Sequence, residues 1–406
     1  MTEQVRVIRT EQIWVKPHKT FSWFCHLSKN LYNEGNYQIR QELFKKNNWI
    51  RYNTLYHRIK TSKNYHQLPA QTAQQVLKIL DRNWKAFFNA IKVWKTDKSK
   101  FNGRPKPPGY KPKNGEFMLV FTNQQVKLKE KILLFPQKVG VSLKTRLPDT
   151  TDLREVRMIP KGVGYVVEIV YQKELHPKPL NPENIIAIDL GVRNLITTVN
   201  NNGFKPFVIK GGVVKSMNQY YNKERARIQS TYDLQGIKTG KAMQKLTTKR
   251  NKKINDYFHK TSRKIIEYCE SNDIGTVVIG YNPDWKQHCQ LGKKHAQNFV
   301  TIPYYRLIHQ LEYKAVEQGI KVIQQEESYS SKCSFLDDEP IEHHTNYLGR
   351  RMTRGLFKSH KDIIINADVN GAYNILKKAF LNAIDADRIE AVGLHPTRWK
   401  LAAVTS

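Results

Sequence analysis

From residue 184 onward, short apolar runs alternate with longer amphipathic ones, and this alternation restricts the fold more than any other feature of the sequence. IIAIDLG begins as an unbroken apolar run and ends in Asp189, and LITTV follows it as the return strand of a hairpin. Residues 216–270 read as a long helical hairpin rich in Lys and Arg. TVVIG (276–280) reads as a buried strand, YYRLIHQLEYKAVEQ (304–318) as an amphipathic helix, and IKVIQQEE (320–327) as another strand. NADVNGAYNILKKAF (366–380) closes the pattern as a helix. Strands alternating with helices predict a layered α/β domain. We place it at 181–380, with 381–406 as a C-terminal tail.

Upstream the pattern differs. Residues 4–15 alternate as a strand, and Trp23, Leu27 and Leu31 then recur at helical spacing. Val76, Leu80, Trp84, Phe87, Ile91 and Trp94 form a long apolar stripe that suits core packing. Tyr52, Tyr56 and Tyr65, interleaved with basic residues, are better candidates for stacking on bases. After a Pro/Gly-rich stretch, VKLKEKILLF, VGVSLKTRL and VRMIPKGVGYVVEIVY return to strand alternation, the last with a KGVG turn. One β module, residues 1–20 and 101–180, interrupted by a helical insertion at 21–100, accounts for strands on both sides of the helices.

The charge is strongly positive: 68 Lys and Arg against 35 Asp and Glu, a formal +33. It is also uneven. Residues 1–180 hold 34 basic and 13 acidic residues, and the remaining 226 hold 34 and 22. No acid occurs from Leu43 to Leu80, a stretch containing Arg51, Arg58 and Lys60. None occurs from Lys98 to Gly115, where Lys98, Lys100, Arg104, Lys106, Lys111 and Lys113 punctuate KSKFNGRPKPPGYKPKNG. One such run alone reads as a solvated linker; two, with this excess behind them, favour a phosphate backbone as partner over a small acidic metabolite. Arg263, in the later basic hairpin, joins this group. The 39% hydrophobic content excludes global disorder. No 18-residue apolar window and no apolar signal-peptide core is visible, and the four cysteines form no CxxC pair. A cytoplasmic, nucleoid-associated protein without membrane contact is the expectation.

Asp189 ends a strand where its carboxylate would project over the sheet edge. Asp368 lies at the start of the closing helix, where an Asp by itself would be a cap or a dipole partner. Carboxylates brought together from a first strand and a closing helix are what a two-metal phosphoryl-transfer site requires, with ions about 4 Å apart. Oxygen ligands and a nucleic-acid substrate favour Mg²⁺.

The blocks IAIDLGVRNLITTV, INDYFHKTSRKI, VVIGYNPDWKQ, EESYSSKCSFLDDE, RRMTRGLF and INADVNGAYNILKK, taken in order over residues 184–378, resemble those of the TnpB/OrfB family. These are transposon-encoded RNA-guided nucleases related to type V CRISPR effectors. The resemblance implies an RNase H-like (RuvC) α/β nuclease domain behind an N-terminal β-barrel (wedge) domain with an inserted helical recognition domain. It implies a guide RNA from the element's own end, a double-stranded DNA target, a possible partner transposase, and cutting by three carboxylates with Mg²⁺. Asp189 matches the first carboxylate and Asp368 the last.

Two departures stand out. Where many relatives carry the middle Glu directly after the TVVI strand, this chain has Gly280. It resembles instead a branch with the acids at Glu326 and Glu327, one strand further out and about 10 Å from the first strand. A Glu reaching inward across a glycine would still meet the metals. Consecutive strand residues face opposite ways, which leaves the choice between Glu326 and Glu327 open, with a slight lean to Glu327. Second, the two CxxC pairs of a zinc ribbon are missing. The degenerate region, about 333–362, offers Cys333, His343, His344 and His360, a set without the usual ligand spacing, so no structural zinc is expected. Two rivals to an active guided nuclease remain: a nuclease-inactive RNA-guided repressor, and a DNA-binding protein that needs no RNA.

Overall fold

The computed structural model describes residues 5–282, 297, 299–386 and 389–401. The PDWKQ end of the VVIGYNPDWKQ block, Cys289, residues 1–4 of the β module and residues 402–406 of the tail lie outside them. The chain forms two compact units that divide after Leu175.

In the first unit, β1 (Val5–Val15) leads into α1 (Lys19–Lys46), α2 (Tyr52–Ile59), the single turn α3 (Lys63–His66) and α4 (Ala70–Thr96). The strands β2 (Leu119–Thr122), β3 (Lys127–Lys129), β4 (Ile132–Leu134), β5 (Ser142–Lys144), β6 (Asp152–Pro160) and β7 (Tyr165–Leu175) follow. They make a four-stranded antiparallel sheet, β1-β7-β6-β2, and a separate three-stranded one, β3-β4-β5. VKLKEKILLF is therefore a hairpin and not one strand, because Glu130 and Lys131 both take the left-handed conformation of a tight turn. Val76, Leu80 and Trp84 are wholly buried, whereas Trp23, at the same helical spacing as buried Leu27 and Leu31, is 56% exposed. Tyr65 is buried, and Tyr52 and Tyr56 pack against the same core, so these rings are structural and not an open stacking surface.

The Pro/Gly-rich stretch is not a free linker. One face of α1 presents Lys29, Asn33, Asn36 and Arg40 at helical spacing. Lys29 Nζ donates to the Lys113 carbonyl at 2.7 Å, Asn33 Nδ2 to Lys111 O at 2.9 Å, and Asn36 Nδ2 and Arg40 both donate to Pro108 O, at 3.0 and 2.8 Å. Prolines cannot complete a helix or sheet ladder of their own, so the carbonyls between them are satisfied by this row of side chains. Asn36 is fully buried and also accepts from Trp84 Nε1 at 3.0 Å. Asn36→Ala would strand the indole N–H and leave the Pro108 carbonyl with Arg40 as its one remaining donor in the α1 row. We expect a loss of about 1–3 kcal/mol in denaturant melts and new protease cleavage within 98–113; an unchanged melt and digestion pattern would refute the strap.

The second unit is built on β8 (Ile185–Asp189), β9 (Asn194–Asn200) and β10 (Phe207–Lys210), then α5 (Gly212–Leu234) and α6 (Lys241–Ser271). β11 (Thr276–Gly280), α7 (Tyr304–Glu317) and β12 (Lys321–Gln325) follow. The short strands β13 (Arg350–Thr353), β14 (Leu356–Lys358) and β15 (Ile364–Asn366) precede α8 (Ala367–Ala379), and β16 (Thr397–Trp399) comes last. The sheet runs β12-β11-β8-β9-β10-β16, with β9 antiparallel to β8 and β10, and β11 and β12 parallel to β8. Its first five strands have the order and polarity of an RNase H-like sheet. The region read as a tail adds the sixth strand: Trp399 stacks on Phe207 with centroids 3.6 Å apart. FVIK (207–210) shows why β10 is hard to read from sequence, since four residues give too short a period.

Alternation along β8 sets the geometry of the site. Ile186 and Ile188 pack with α6 and α7, while Ile185 and Ala187 pack with α8. Asp189 shares the parity of Ile185 and Ala187, so it belongs to the α8 face. In β11, Val277 and Ile279 face the first layer, and Val278, with Gly280 in the same phase, the second.

Candidate active site

Asp189 is the last residue of the central strand, paired with Thr197 of β9. Helix α8 brings Asp368 to the same face. Asn366 caps that helix, its Oδ1 accepting from Asp368 N at 3.1 Å and Val369 N at 3.2 Å, so Asp368 is free of capping duty and sits in the first turn. Gly371 of that helix stands opposite Asp189: a Cβ there would lie in ordinary contact, 3.7 Å from Asp189 Oδ2.

Glu327 lies two residues beyond the end of β12, not within it. The β11–β12 ladder continues through Tyr281 N donating to Gln325 O at 2.9 Å, and the Asn282 side chain accepts from Glu327 N at 3.3 Å. The Glu327 carboxylate then reaches back across β11. A Cβ on Gly280 would meet Glu327 Oε2 at 2.6 Å, so the glycine is the space this carboxylate fills. Glu326 points elsewhere, pairing with Lys378 Nζ at 2.6 Å and accepting from Ser328 N at 2.7 Å. Those bonds hold its carboxyl below the usual range even though burial opposes them.

The electrostatics tie the acids together. Burial pushes Asp189 well above the usual carboxylate range, and the Glu327 and Asp368 charges raise it further, against the pull of Arg351. Burial pushes Glu327 up to about 7, with Glu326 adding to the rise. Glu327 Oε2 is buried without a hydrogen-bond partner among the described residues. Asp368 is met by Asn194 Nδ2 at 2.8 Å and by the Arg351 guanidinium at 3.5 Å. Tyr304, buried at the start of α7, feels the same acids: after burial, Asp189 and Glu327 do most to raise its hydroxyl.

Among the described residues no three His, Cys, Asp or Glu side chains are gathered tightly enough, as they stand, to enclose a metal ion. The donor set nevertheless fits a hard divalent cation such as Mg²⁺: all-oxygen ligands, a buried orphan carboxylate oxygen, and two acids whose ionisation burial opposes until positive charge arrives.

Asn194, Asn282, Arg351 and Tyr304 escaped the sequence reading. Asn194, Asn282 and Arg351 fall inside the quoted blocks, but only the fold shows what they touch. The same holds for Asn370 and Asn374 in the closing helix. Both are fully buried; Asn370 Nδ2 donates to Cys333 O, and Asn374 Nδ2 donates to Ser330 O and Cys333 O, at 2.8–2.9 Å. They fasten the loop that follows Glu327.

In the 333–362 region carboxylates make the cross-links. Asp337 accepts from Ser334 Oγ, His360 N and Lys361 N, and Glu339 accepts from Ser334 N and Leu348 N. The buried Cys333 thiol donates to Glu342 O at 3.5 Å, one His344 ring nitrogen pairs with Pro340 O at 2.8 Å, and His343 sits edge-on to Tyr329.

The basic residues divide. Arg51 forks onto Asp81 at 2.9 and 3.2 Å and stacks on Trp49; Arg58 pairs with Glu42 at 2.9 Å, and Arg263 with Glu267 at 2.8 Å. Lys98 and Arg104 both lie over Trp94, Lys100 sits 3.5 Å from Asp97, and Lys111 covers the Tyr32 and Phe117 rings. Lys60, Lys106 and Lys113 are exposed.

A family model described as a probable transposase of the OrfB type matches residues 167–286, and one described as a Cas12f1-like TNB domain matches residues 304–375. The first span holds Asp189, and the second Glu327 and Asp368. A TnpB-like protein of Acidianus two-tailed virus is 25% identical over 394 residues, covering 87% of this chain and 82% of its own. The CRISPR-associated endodeoxyribonuclease Cas12f1 of Syntrophomonas palmitatica is 25% identical over 189 residues, covering 44% of this chain and 37% of its own. Among solved structures, a Cas12f1–sgRNA–target DNA complex aligns over 91% of this chain and 98% of its own, with 13% identity and a TM-score of 0.48. Matched in order by two family models and along most of its length by a TnpB-like protein, the chain is similar to the TnpB/OrfB family and its type V relatives.

Proposed function

We propose that the chain is a metal-dependent, RNA-guided DNA endonuclease in which Asp189, Glu327 and Asp368 hold the ions. The observation that carries this reading is the convergence of three acids from separate elements onto one face, with a glycine left open for the third. The names of relatives, an endodeoxyribonuclease and a complex with guide RNA and target DNA, support nucleic acids as partners. Bound Mg²⁺ would activate water and neutralise the leaving oxygen. Asp189, at the centre, would present oxygens to the ions; Asn194 and Arg351 orient Asp368, and the Gly280 gap lets Glu327 approach from the side. The first unit's sheets, as a wedge, and its helices, with the basic α5–α6 hairpin, would grip the guide–target hybrid by its backbone while base pairing reads sequence. No helix among the described residues is long and apolar enough to cross a membrane. Cutting at the donor site, alongside a partner transposase, would help the element persist there.

The test is cleavage of a plasmid library by protein co-expressed with its bound RNA. Cutting should require Mg²⁺ and the RNA, and Asp189→Ala should abolish it. Binding without cutting, indifferent to Asp189→Ala, would establish the repressor instead; target binding that survives RNase would establish an RNA-independent DNA-binding protein.

A further inference from the structure

The strap fastened to α1 does more than close the first unit. Between it and α4 lies an open groove of about 340 Å³, whose walls include Phe87 and Asn83 from the helix, Pro105 and Pro108 from the strap, and Tyr32 beneath. Lys106 stands at its rim, and no carboxylate lines it. We infer that this groove takes a single unstacked nucleobase from a bound strand. The assignment rests on the nucleic-acid-binding reading above and adds to it a base site remote in sequence from the acids.

Three features select that occupant. The first is shape and polarity. A planar ring stacks on aromatic and apolar faces whatever its sequence, and Phe87 offers such a face, its ring held edge-on to Trp84 at 5.8 Å. The second is the carboxamide of Asn83. It donates one N–H to Tyr32 Oη at 3.3 Å, which fixes its orientation, and an amide of this kind can pair with a base edge. The third is charge. Exposed Lys106 and the acid-free lining suit the phosphate that accompanies a nucleotide and disfavour an acidic or a purely apolar ligand. The strap's hydrogen bonds to Asn33, Asn36 and Arg40 keep the opposite wall in place, so the groove exists before a strand arrives.

Ala90 lines the groove and belongs to neither the acid cluster nor the strap contacts. Ala90→Phe should fill the space without removing a charge. The probes are fluorescein-labelled single-stranded RNA and DNA oligomers at fixed salt, with the full chain, and 5-bromouracil-substituted versions for photocrosslinking. We expect Ala90→Phe and Phe87→Ala to weaken binding on the order of tenfold, and crosslinks to map to Phe87. Loss with RNA alone, or with DNA alone, identifies the source of the base. Lys106→Ala should weaken both strands and flatten the salt dependence. If Ala90→Phe melts like wild type, binds both strands unchanged, and crosslinks fall elsewhere, the groove is not a base site. If the wild-type chain binds neither strand, the nucleic-acid reading itself fails, which is a separate result.

Discussion

Asp189→Asn should make the metal-free protein more stable at pH 8 while reducing cleavage by at least about a thousandfold, the scale lost when a group stabilising developing charge is removed. The two effects share one origin. Asp189 and Glu327 are both raised, chiefly by burial, and each adds to a crowded negative region. A carboxyl raised in the folded state contributes stability that is complete below its unfolded value, near 4.5 for Glu327, and is lost as pH climbs through about 7. For Glu327 that span corresponds to roughly 3 kcal/mol. Without divalent ions, therefore, the melting temperature of the wild-type second unit should fall by several degrees between pH 5 and pH 8. Mg²⁺ should restore it at pH 8 and do little at pH 5, because protons already occupy the oxygens there. Asp189→Asn and Glu327→Gln should flatten the pH dependence and blunt the Mg²⁺ response. Calorimetry in chelator and in Mg²⁺ at both pH values reads this without any cleavage assay. A wild-type melt independent of Mg²⁺ at pH 8 would remove the metal from the proposal.

The α/β unit was legible because its strands are buried on both faces and bounded by long helices. IIAID and TVVIG are short, unbroken and apolar, as strands covered on two sides must be. The placement of Glu327 was legible only in part. Sequence supplied the strand order and the glycine. Strand alternation left the choice between the adjacent glutamates open, with a slight lean to Glu327, and in the structure both residues lie past the end of β12, where alternation no longer applies. Lys378 and Ser328 take up Glu326, and the Gly280 gap receives Glu327. Contacts between side chains distant in sequence are invisible to periodicity. That is also why Tyr52, Tyr56 and Tyr65 suggested an open stacking surface. Tyrosines between lysines look the same whether they face solvent or a core, and in this chain Tyr65 is buried while Tyr52 and Tyr56 pack against the same core. The strap was misleading for a related reason. Pro-rich segments carry no periodic signal, and the residues that fix KSKFNGRPKPPGYKPKNG lie about 70–80 positions earlier, on one face of α1.

Gly280→Ala should lower cleavage on the order of a hundredfold although it adds one methyl group and removes no carboxylate, an effect the size expected from displacing a reacting group by about 1 Å. The added carbon would lie 2.6 Å from Glu327 Oε2 and 2.4 Å from Ile375 Cδ1, so the carboxylate, the Ile375 side chain or helix α8 behind it must give way. These alternatives separate. Ile375→Val deletes the Cδ1 atom, the nearest obstacle, and Gly280→Ala/Ile375→Val therefore keeps the conflict with Glu327 beside a milder contact at Cγ1, 3.2 Å away. If the carboxylate's position controls the chemistry, the double variant should stay as slow as Glu327→Gln, with its Mg²⁺-dependent stabilisation equally reduced. Should the double variant recover wild-type cutting, the loss came from a shifted helix and the altered position of Asp368. Glu326→Gln serves as the comparison: its carboxylate is tied to Lys378, and cutting should change by less than about threefold, the loss of an exposed ion pair being small. Full activity in Gly280→Ala itself would mean that the space at residue 280 is incidental. The third acid would then have to be sought away from the β11–β12 edge, and the convergence on Asp189 would lose its strongest member.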